Sequence, residues 1–290
     1  MTPIFSPYIF AWGHNNDKYY QTNNLQHVIN LGLKNITLAF LTNERYDEIK
    51  EWRDDILLHK DDINIILSIG GATGTFPSSS IENDVEKLNN LLNDLNINMI
   101  DLDIEGKILE SKDKVKQWVK LIKLLCLKRK NENEDLWISL TLPVEFEGGL
   151  NNDSIFTIKL FQKEGILINL INLMLMDYFT PLKIFNNWGD KNISILINSF
   201  NQLKKFGYNW NNIGICPMIG ENDDGTKFTI NDWEKLLLFA NLNKIGLISF
   251  WAINRDQKSH LFSKSGVDTH SKCQNCDHEY TLTAIKMLNK

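Results

Sequence analysis

Short apolar runs recur along this chain at an even pace, and stretches with helical spacing lie between them. Each run has the length of a strand that is buried on both faces, and most runs end at a Gly, Asn, Asp or Pro turn signal. The eight runs cover residues 8–12, 36–41, 64–69, 98–104, 136–142, 173–178, 213–219 and 245–251. Because parallel strands need long crossover connections, usually helices, this alternation predicts an α/β fold.

Helical spacing of apolar residues occurs in five of the intervening stretches. These are residues 81–95, 112–130, 192–206, 231–243 and 277–288. Eight strand–helix units in 290 residues allow about 36 residues each, which fits a (β/α)8 TIM barrel in a single domain, residues 1–290. A doubly wound open sheet is the alternative, but eight units favour closure of the sheet into a barrel.

Composition and charge exclude several other classes of protein. Hydrophobic residues make up 43% and charged residues 23% of the chain, which is typical of a soluble globular protein. The 36 acidic and 31 basic side chains give a net charge of −5, so we expect no nucleic-acid partner. No apolar run reaches the roughly 18 residues that span a bilayer, so we expect no membrane segment. The first 13 residues show no basic leader followed by a long apolar stretch, so no secretory signal is visible.

Residues 98–106 (NMIDLDIEG) contain three carboxylates that alternate with apolar residues. On a strand, this period of two puts Asp101, Asp103 and Glu105 on one face. In a barrel that face points inward, with Glu105 at the carboxyl end, where barrel active sites lie. Because like charges at close range disfavour ionisation, we expect at least one of the three to hold a proton near neutral pH, as a general acid must.

Two other interpretations fit the acidic spacing. A surface strand with one wet acidic face is disfavoured, because its intervening apolar residues would give it only one buried face inside a parallel sheet. A divalent-metal site built from the three carboxylates is compatible with the spacing alone and stays open. We predict neither a metal nor a cofactor.

The acidic segment resembles the signature of glycoside hydrolase family 18, the chitinases and their relatives. That signature is Asp-Gly-x-Asp-x-Asp-x-Glu on the fourth barrel strand, and residues 100–105 match its catalytic half. Five other segments resemble the family's motifs on strands three, five, six, seven and eight: residues 68–71 (SIGG), 140–143 (LTLP), 172–178 (NLMLMDY), 216–223 (CPMIGEND) and 249–256 (SFWAINRD). Six motifs in the right order along nearly the whole chain make the resemblance strong.

The resemblance implies a mechanism in which the substrate assists its own hydrolysis. Glu105 would protonate the glycosidic oxygen while the 2-acetamido oxygen of the substrate attacks the anomeric carbon. Asp103 would orient that acetamido group and offset the charge of the oxazolinium ion. Asp101 would lie deeper and hold Asp103 through a shared proton, with Ser68 hydrogen-bonded nearby, and Asp177 would hold the acetamido group from strand six.

The same resemblance implies the residues that bind the sugar. Trp251 would form the apolar floor under the sugar that precedes the cleaved bond. The other predicted substrate-binding residues are Ser68, Gly70, Gly71, Met174, Met176, Met218 and Asn222. Trp12, at the end of the first strand, is either a second stacking platform or a core residue.

Two positions depart from the family's pattern. Asn98 and Met99 replace the opening Asp-Gly of the signature, at the interior end of the strand, where we expect an effect on packing. Met176 stands where many members carry a tyrosine whose hydroxyl positions the acetamido oxygen. Alternation along strand six would point Tyr178 to the same side, so we count Tyr178 with the catalytic residues as its substitute.

The resemblance implies a retaining, endo-acting chitinase that binds chitin or chitooligosaccharides, works as a monomer and is secreted. Only about 25 residues separate Ile219 from Ile245, whereas longer members insert a small α+β module there; its absence predicts an open cleft and internal cutting. Three alternatives are an endo-β-N-acetylglucosaminidase acting on N-glycan cores, a non-catalytic carbohydrate-binding barrel and a metal-dependent hydrolase. Retention of Glu105 disfavours the second.

Two cysteines and two histidines lie within nine positions near the carboxyl end of the chain, residues 270–278. Cys273 and Cys276 are compatible with a small loop disulfide, with two idle thiols or, least favoured, with a zinc site. Cys126 and Cys216 fall in apolar runs, so we expect buried free thiols there.

Overall fold

A computed structural model of the chain describes residues 3–15, 23–179, 187–258 and 270–289. These residues form twelve strands: β1 Ile4–Phe5, β2 Tyr8–Phe10, β3 Asn35–Leu41, β4 Asn64–Gly70, β5 Met99–Asp103, β6 Trp137–Glu145, β7 Gly149–Leu150, β8 Leu170–Met174, β9 Ile213–Cys216, β10 Gly220–Glu221, β11 Lys227–Phe228 and β12 Leu247–Ile248. They also form ten α-helices: α1 Leu25–Asn30, α2 Tyr46–Lys50, α3 Arg53–Leu58, α4 Ile81–Asp94, α5 Gly106–Leu109, α6 Lys112–Asn131, α7 Asn152–Lys163, α8 Trp188–Leu203, α9 Ile230–Asn243 and α10 Glu279–Leu288.

The main sheet closes on itself. Its strands follow the order β1-β12-β9-β8-β6-β5-β4-β3-β2, and each neighbouring pair is parallel. β1 pairs with β12, and β2 pairs with β3. Ser6 and Pro7 separate β1 from β2, because Pro7 has no N–H group to donate to a neighbouring strand. Beyond that break, Tyr8 N still donates to Phe250 O at 3.0 Å. When β1 and β2 are counted as one interrupted strand, the sheet has eight parallel strands, so the predicted (β/α)8 TIM barrel is confirmed.

The eight predicted apolar runs each overlap a barrel strand, but the sixth run is displaced. Residues 173–178 were expected to be strand, whereas β8 is Leu170–Met174. Beyond it, Asp177 and Phe179 both have φ of 48°, in the left-handed region, which turns the chain away from the sheet. Met176, Asp177 and Tyr178 therefore lie in a loop at the carboxyl end of the barrel.

The five predicted helices correspond to α4, α6, α8, α9 and α10. α6 carries the sequence signals of a helix at both ends. At its start the Ser111 side chain accepts a hydrogen bond from Lys114 N, and its last turn contains basic residues that interact favourably with the helix dipole. The unpredicted α1, α2, α3 and α5 span only four to six residues, too short for a helical period to show. α7 is longer and was missed, although Asn151 caps it by accepting from Ser154 N.

The buried apolar side chains of the described residues form three groups, of which the smallest comprises Ile66, Leu170 and Leu247. The other two groups bear on the site. The larger one packs the barrel strands against the helices and includes Trp52, Trp118 and Trp233. The smaller one comprises buried Tyr8, Phe10, Ala39, Cys216 and Ala252, with Trp12, Phe40, Met176 and Trp251 packed against it. This smaller group contributes the apolar wall of the site described next.

Across the described helices, none combines the length and apolar character that crossing a membrane requires. That residues 1–290 form one domain stays a prediction.

Candidate active site

Asp101 lies inside the barrel, where four hydroxyl groups surround its carboxylate. Register places Ser68 of β4 and Ser139 of β6 beside it. Oδ2 accepts from Ser68 Oγ at 2.7 Å and from Tyr8 OH at 2.9 Å. Oδ1 accepts from Ser139 Oγ at 2.6 Å and from Thr141 Oγ1 at 2.7 Å. Burial raises the pKa of Asp101, and these four hydrogen bonds oppose that rise by stabilising the charged form.

Asp103 is the next residue on the same face, and its environment is the opposite. It is buried, and its Oδ1 has no hydrogen-bond partner. Burial first, then the charges of Glu105 and Asp101, raise the pKa of Asp103 well above its usual range. We therefore expect Asp103 to hold a proton at neutral pH.

The structure differs from the expected shared proton between Asp101 and Asp103. A carboxylate offers about four acceptor positions, and the four hydroxyls occupy those of Asp101. Asp103 therefore interacts with Asp101 through charge, and its proton is available to groups on the cavity side.

Glu105 lies two residues beyond the end of β5 and immediately before α5. Its backbone is extended, with φ −140° and ψ 177°, so its side chain continues the inward face of the strand. Burial, followed by the nearby charge of Asp177, raises the pKa of Glu105 to about 7. A carboxyl group with this pKa holds a proton on about half of the molecules at neutral pH, which suits a general acid that later acts as a base.

Asp177 is held in its loop by backbone N–H groups from the loop after β10. Its Oδ1 accepts from Asp223 N at 2.7 Å and from Asp224 N at 3.4 Å. Burial, then the charge of Asp223, raises its pKa to about 6. Asn222 accepts from Asp177 N at 3.4 Å and donates to Met218 O and Gly220 O, so it fixes this loop pair.

A cavity of about 460 Å³ opens above these acids. Its lining comprises Tyr8, Phe40, Ala72, Asp103, Glu105, Thr141, Pro143, Met174, Met176, Asp177, Phe179, Cys216, Met218, Asp223 and Trp251. Trp251 stacks on Phe40, with ring centroids 5.2 Å apart and planes 15° apart. Phe179 leaves 74% of its surface exposed. The cavity therefore combines an aromatic wall with carboxyl groups, which suits a ligand that has both apolar faces and polar groups.

Seven predicted residues line this cavity: Asp103, Glu105, Asp177, Trp251, Met174, Met176 and Met218. Two glycines of the predicted set support it from behind. Gly70 has φ of +116°, and a Cβ there would lie 2.2 Å from Asp103 O. A Cβ on Gly71 would lie 2.8 Å from the Phe40 ring, and Gly71 N donates to Asp103 O at 3.1 Å. Both glycines thus permit close packing around cavity residues without lining the cavity themselves.

The structure corrects the prediction that Tyr178 replaces the missing tyrosine. Its hydroxyl donates to Asn192 Oδ1 at 2.8 Å, and its ring stacks on Trp188, outside the cavity. The prediction assumed strand alternation from Met176, but β8 has ended at Met174 and the chain turns at Asp177. Tyr178 therefore packs the loop against α8.

Of the two predicted roles of Trp12, the structure agrees with the core residue. Its ring stacks on Phe10, with centroids 4.4 Å apart, and the Arg45 guanidinium covers it at 4.3 Å. It does not line the cavity.

The residues that surround Asp101 and part of the cavity wall were not predicted from the sequence. Tyr8, Ser139, Thr141 and Asn172 build the polar interior, and Phe40 and Phe179 line the cavity. One available signal was the spacing of Ser139 and Thr141, which share a strand face and lie in register with Asp101 and Asp103.

Within the described ranges, no group of three or more His, Cys, Asp or Glu residues is arranged to hold a metal ion. In particular, hydroxyl donors occupy both oxygens of Asp101, which leaves that carboxylate without a free lone pair. All four cysteines are free thiols, which agrees with the idle-thiol alternative for Cys273 and Cys276.

Comparison with known proteins agrees with this geometry. A model of the glycosyl hydrolases family 18 matches residues 5–212, which include the barrel strands up to β8 and all the carboxyl groups described except Asp223. The chain belongs to family 18. The probable bifunctional chitinase/lysozyme of Escherichia coli K12 is 27% identical over 209 residues, which are 67% of this chain and 23% of that protein. Endochitinase 11 of Metarhizium anisopliae is 26% identical over 214 residues, 68% of this chain and 41% of that protein.

This family 18 chain therefore spans less than half the length of these curated relatives. Among solved structures, it is similar to the catalytic domain of a hyperthermophilic chitinase from Pyrococcus furiosus. The TM-score is 0.79 at 26% identity, over 99% of this chain and 97% of that one. Catalytic-site mutants of active domain 2 of the P. furiosus chitinase, complexed with chito-oligosaccharides, give the same TM-score at 24% identity over 99% and 96%.

Proposed function

We propose that this family 18 protein is an endo-acting chitinase that hydrolyses β-1,4-N-acetylglucosaminide bonds with retention of configuration. The observation that carries the proposal is Glu105: a carboxyl group with a pKa of about 7, facing a cavity between Asp177 and the aromatic wall. The chitinase names of its relatives and of the similar solved structures support the substrate class.

Glu105 is proposed as the general acid and base. In its protonated form it gives its proton to the glycosidic oxygen as the bond to the leaving sugar breaks. The ionised Glu105 then takes a proton from the water that attacks the anomeric carbon. A pKa near 7 allows both halves of this cycle at neutral pH, because neither protonation state is costly to reach.

The proposed nucleophile is the 2-acetamido oxygen of the substrate, and two aspartates act on that group. Asp103 holds a proton, so it can donate a hydrogen bond to the acetamido group, and its buried, unpartnered Oδ1 gains a partner. Asp177 lies across the cavity and carries negative charge once its pKa of about 6 is exceeded. That charge favours the positive oxazolinium ion in a low-dielectric site.

The sugar ring is proposed to stack on Trp251, whose ring also stacks on that of Phe40. Met174, Met176 and Met218 provide flexible apolar contacts around the ring and the acetamido methyl group. Exposed Phe179 at the rim offers a further apolar face for a neighbouring sugar unit.

Internal cutting is proposed because the connection between β9 and β12 is short. Between Ile219 and Ile245 lie only the two-stranded ribbon of β10 and β11 and the helix α9, with no further module. A cleft without an added wall admits a long chain from the side. Secretion and a monomeric state stay predictions from the family resemblance.

The test is time-resolved, anomer-resolved product analysis on a chitin hexasaccharide, with the wild type and Glu105→Gln. We expect internal cleavage to β-anomer products, abolished in the variant, which keeps the shape of the side chain but cannot ionise. Release of disaccharide alone from the earliest time points would contradict internal cutting. Binding without cleavage by the wild type would instead support the carbohydrate-binding alternative.

A further inference from the structure

Asn172 is a buried residue of β8 that does not line the cavity and whose side chain hydrogen-bonds to neighbours of Asp101. It lies between Thr141 of β6 and Gly214 of β9 in register and has no exposed surface. Its Nδ2 donates to Tyr8 OH at 3.2 Å and to Thr141 Oγ1 at 3.1 Å. These are two of the four hydroxyls that surround Asp101.

Each of these hydroxyls has one hydrogen to donate, and the two oxygens lie 3.1 Å apart. Without another donor nearby, one hydroxyl can give its hydrogen to the other instead of to Asp101. The Asn172 amide supplies the hydrogens that both oxygens accept, so both hydroxyl hydrogens are free for the carboxylate. We propose that Asn172 is a positioning residue that directs Tyr8 and Thr141 toward Asp101 and so keeps Asp101 ionised.

The orientation of the amide follows from the same hydrogen count. In the opposite orientation, Oδ1 of Asn172 would compete with Asp101 for the two hydroxyl hydrogens, and a buried NH2 group would have no acceptor. In the observed orientation only Oδ1 of Asn172 lacks a partner. A charged carboxylate gains more from a donor than a neutral amide oxygen does, so the observed orientation is favoured.

Gly214 provides the space for this side chain. A Cβ at position 214 would lie 2.6 Å from Asn172 Oδ1, closer than side chains tolerate. Because neighbouring strand positions would otherwise both carry side chains, glycine on β9 is what allows the amide to reach between Tyr8 and Thr141.

The consequence for catalysis rests on the proposed function. An ionised Asp101 keeps the proton on Asp103, whose pKa it raises, and places a negative charge beneath the oxazolinium ion. The other titratable groups that interact with Asp101 are Tyr8 and Cys216; burial raises the pKa of both well above neutrality, so both stay uncharged. Removing the Asn172 donor therefore raises the pKa of Asp101 itself.

The test is Asn172→Leu, which replaces the amide with an apolar side chain of similar volume. The ionisation of Asp101 is followed by 13C NMR of its carboxyl carbon in the substrate-free protein, with the signal assigned by Asp101→Asn. We expect its midpoint to rise by about 1 to 2 pH units, since one hydrogen bond to a charged group is worth about that much. The acidic limb of kcat should move up by a similar amount, with activity recovered at higher pH.

Asn89→Leu is the matched control, because Asn89 is also buried but lies on α4 and donates to Glu132. It should lose stability without moving the Asp101 midpoint. If Asn172→Leu does not fold, Gly214→Ala displaces the amide and should move the midpoint in the same direction. A folded Asn172→Leu with an unchanged midpoint overturns the proposal. Because this titration needs no substrate, it is independent of whether the wild type cuts chitin.

Discussion

Replacing Asp177 by Asn should shift the pH dependence of catalysis toward lower pH. Glu105 must be protonated at the start of the reaction, so kcat/KM is expected to fall above its pKa of about 7. That value lies about 2.5 units above the ordinary 4.5, and burial is a larger cause of the difference than the charge of Asp177. Asp177 therefore accounts for less than half of it, and Asp177→Asn should lower the alkaline limb by less than about 1.2 pH units.

The measurement is kcat/KM on a chitin hexasaccharide from pH 4 to 9 for the wild type and Asp177→Asn. The variant is also expected to lose rate at every pH, because the acetamido group loses a partner, but that loss does not change the shape of the profile. Asp61→Asn is the matched control: Asp61 is exposed in the connection before β4, at the opposite end of the barrel. An alkaline limb that stays in place or moves to higher pH would refute the assignment of Glu105 as the acid.

Three further changes test other parts of the structure. Gly70→Ala should destabilise the fold by at least about 2 kcal/mol in urea unfolding, because its φ of +116° and the 2.2 Å approach to Asp103 O both oppose a side chain; unchanged stability would contradict this packing. Tyr178→Phe should cost about 1–3 kcal/mol of stability, since buried Asn192 loses its donor, with kcat nearly unchanged; a large fall in kcat alone would restore Tyr178 as a catalytic residue. Asp256 is fully buried, and burial raises its pKa from 3.8 to about 6. Protonated Asp256 therefore favours the folded state: this contribution to the free energy of unfolding is complete below about pH 3.8 and is lost as the pH rises through 6. Asp256→Asn should remove about 3 kcal/mol of this pH dependence between pH 4 and 7, and an equal slope in wild type and variant would contradict it.

The barrel was predictable because its strands are buried on both faces. Such strands appear as continuous apolar runs, and all eight were located from the sequence. The residues at which the strands end were harder to predict. The run that contains β8 continues past Met174 without a Gly or Pro, and only the backbone turn at Asp177 ends it. The error about Tyr178 follows directly from that missing signal.

The carboxylates of the candidate site were predictable for the opposite reason. Asp101, Asp103 and Glu105 interrupt an apolar strand at every second position, and buried acids are rare enough to be conspicuous. The hydroxyls around Asp101 give no such signal, since serine and threonine are common in strands. Asn172 and Tyr8 become recognisable only when register brings β2, β6 and β8 next to β5.

The three carboxylates on β5 and just after it show how neighbours, rather than spacing, assign their charges. Spacing alone makes them equivalent members of one face. Burial raises the pKa of Asp101, and four hydroxyl donors oppose that rise by favouring its charged form. Asp103 has burial and two neighbouring charges but no donor on Oδ1, so its pKa is raised well above the usual range. Glu105, closest to solvent, is poised near pH 7. The surroundings of the three carboxyl groups thus differ from one group to the next: four hydroxyl donors around Asp101, no donor on Oδ1 of Asp103, and a pKa of about 7 at Glu105. Successive groups on one strand face are separated by the rise of two residues, roughly 7 Å. In the proposed mechanism, a substrate that enters from the carboxyl end of the barrel meets first Glu105, which can give up a proton, and then Asp103, which can donate a hydrogen bond. Beneath both lies Asp101, for which we propose a negative charge.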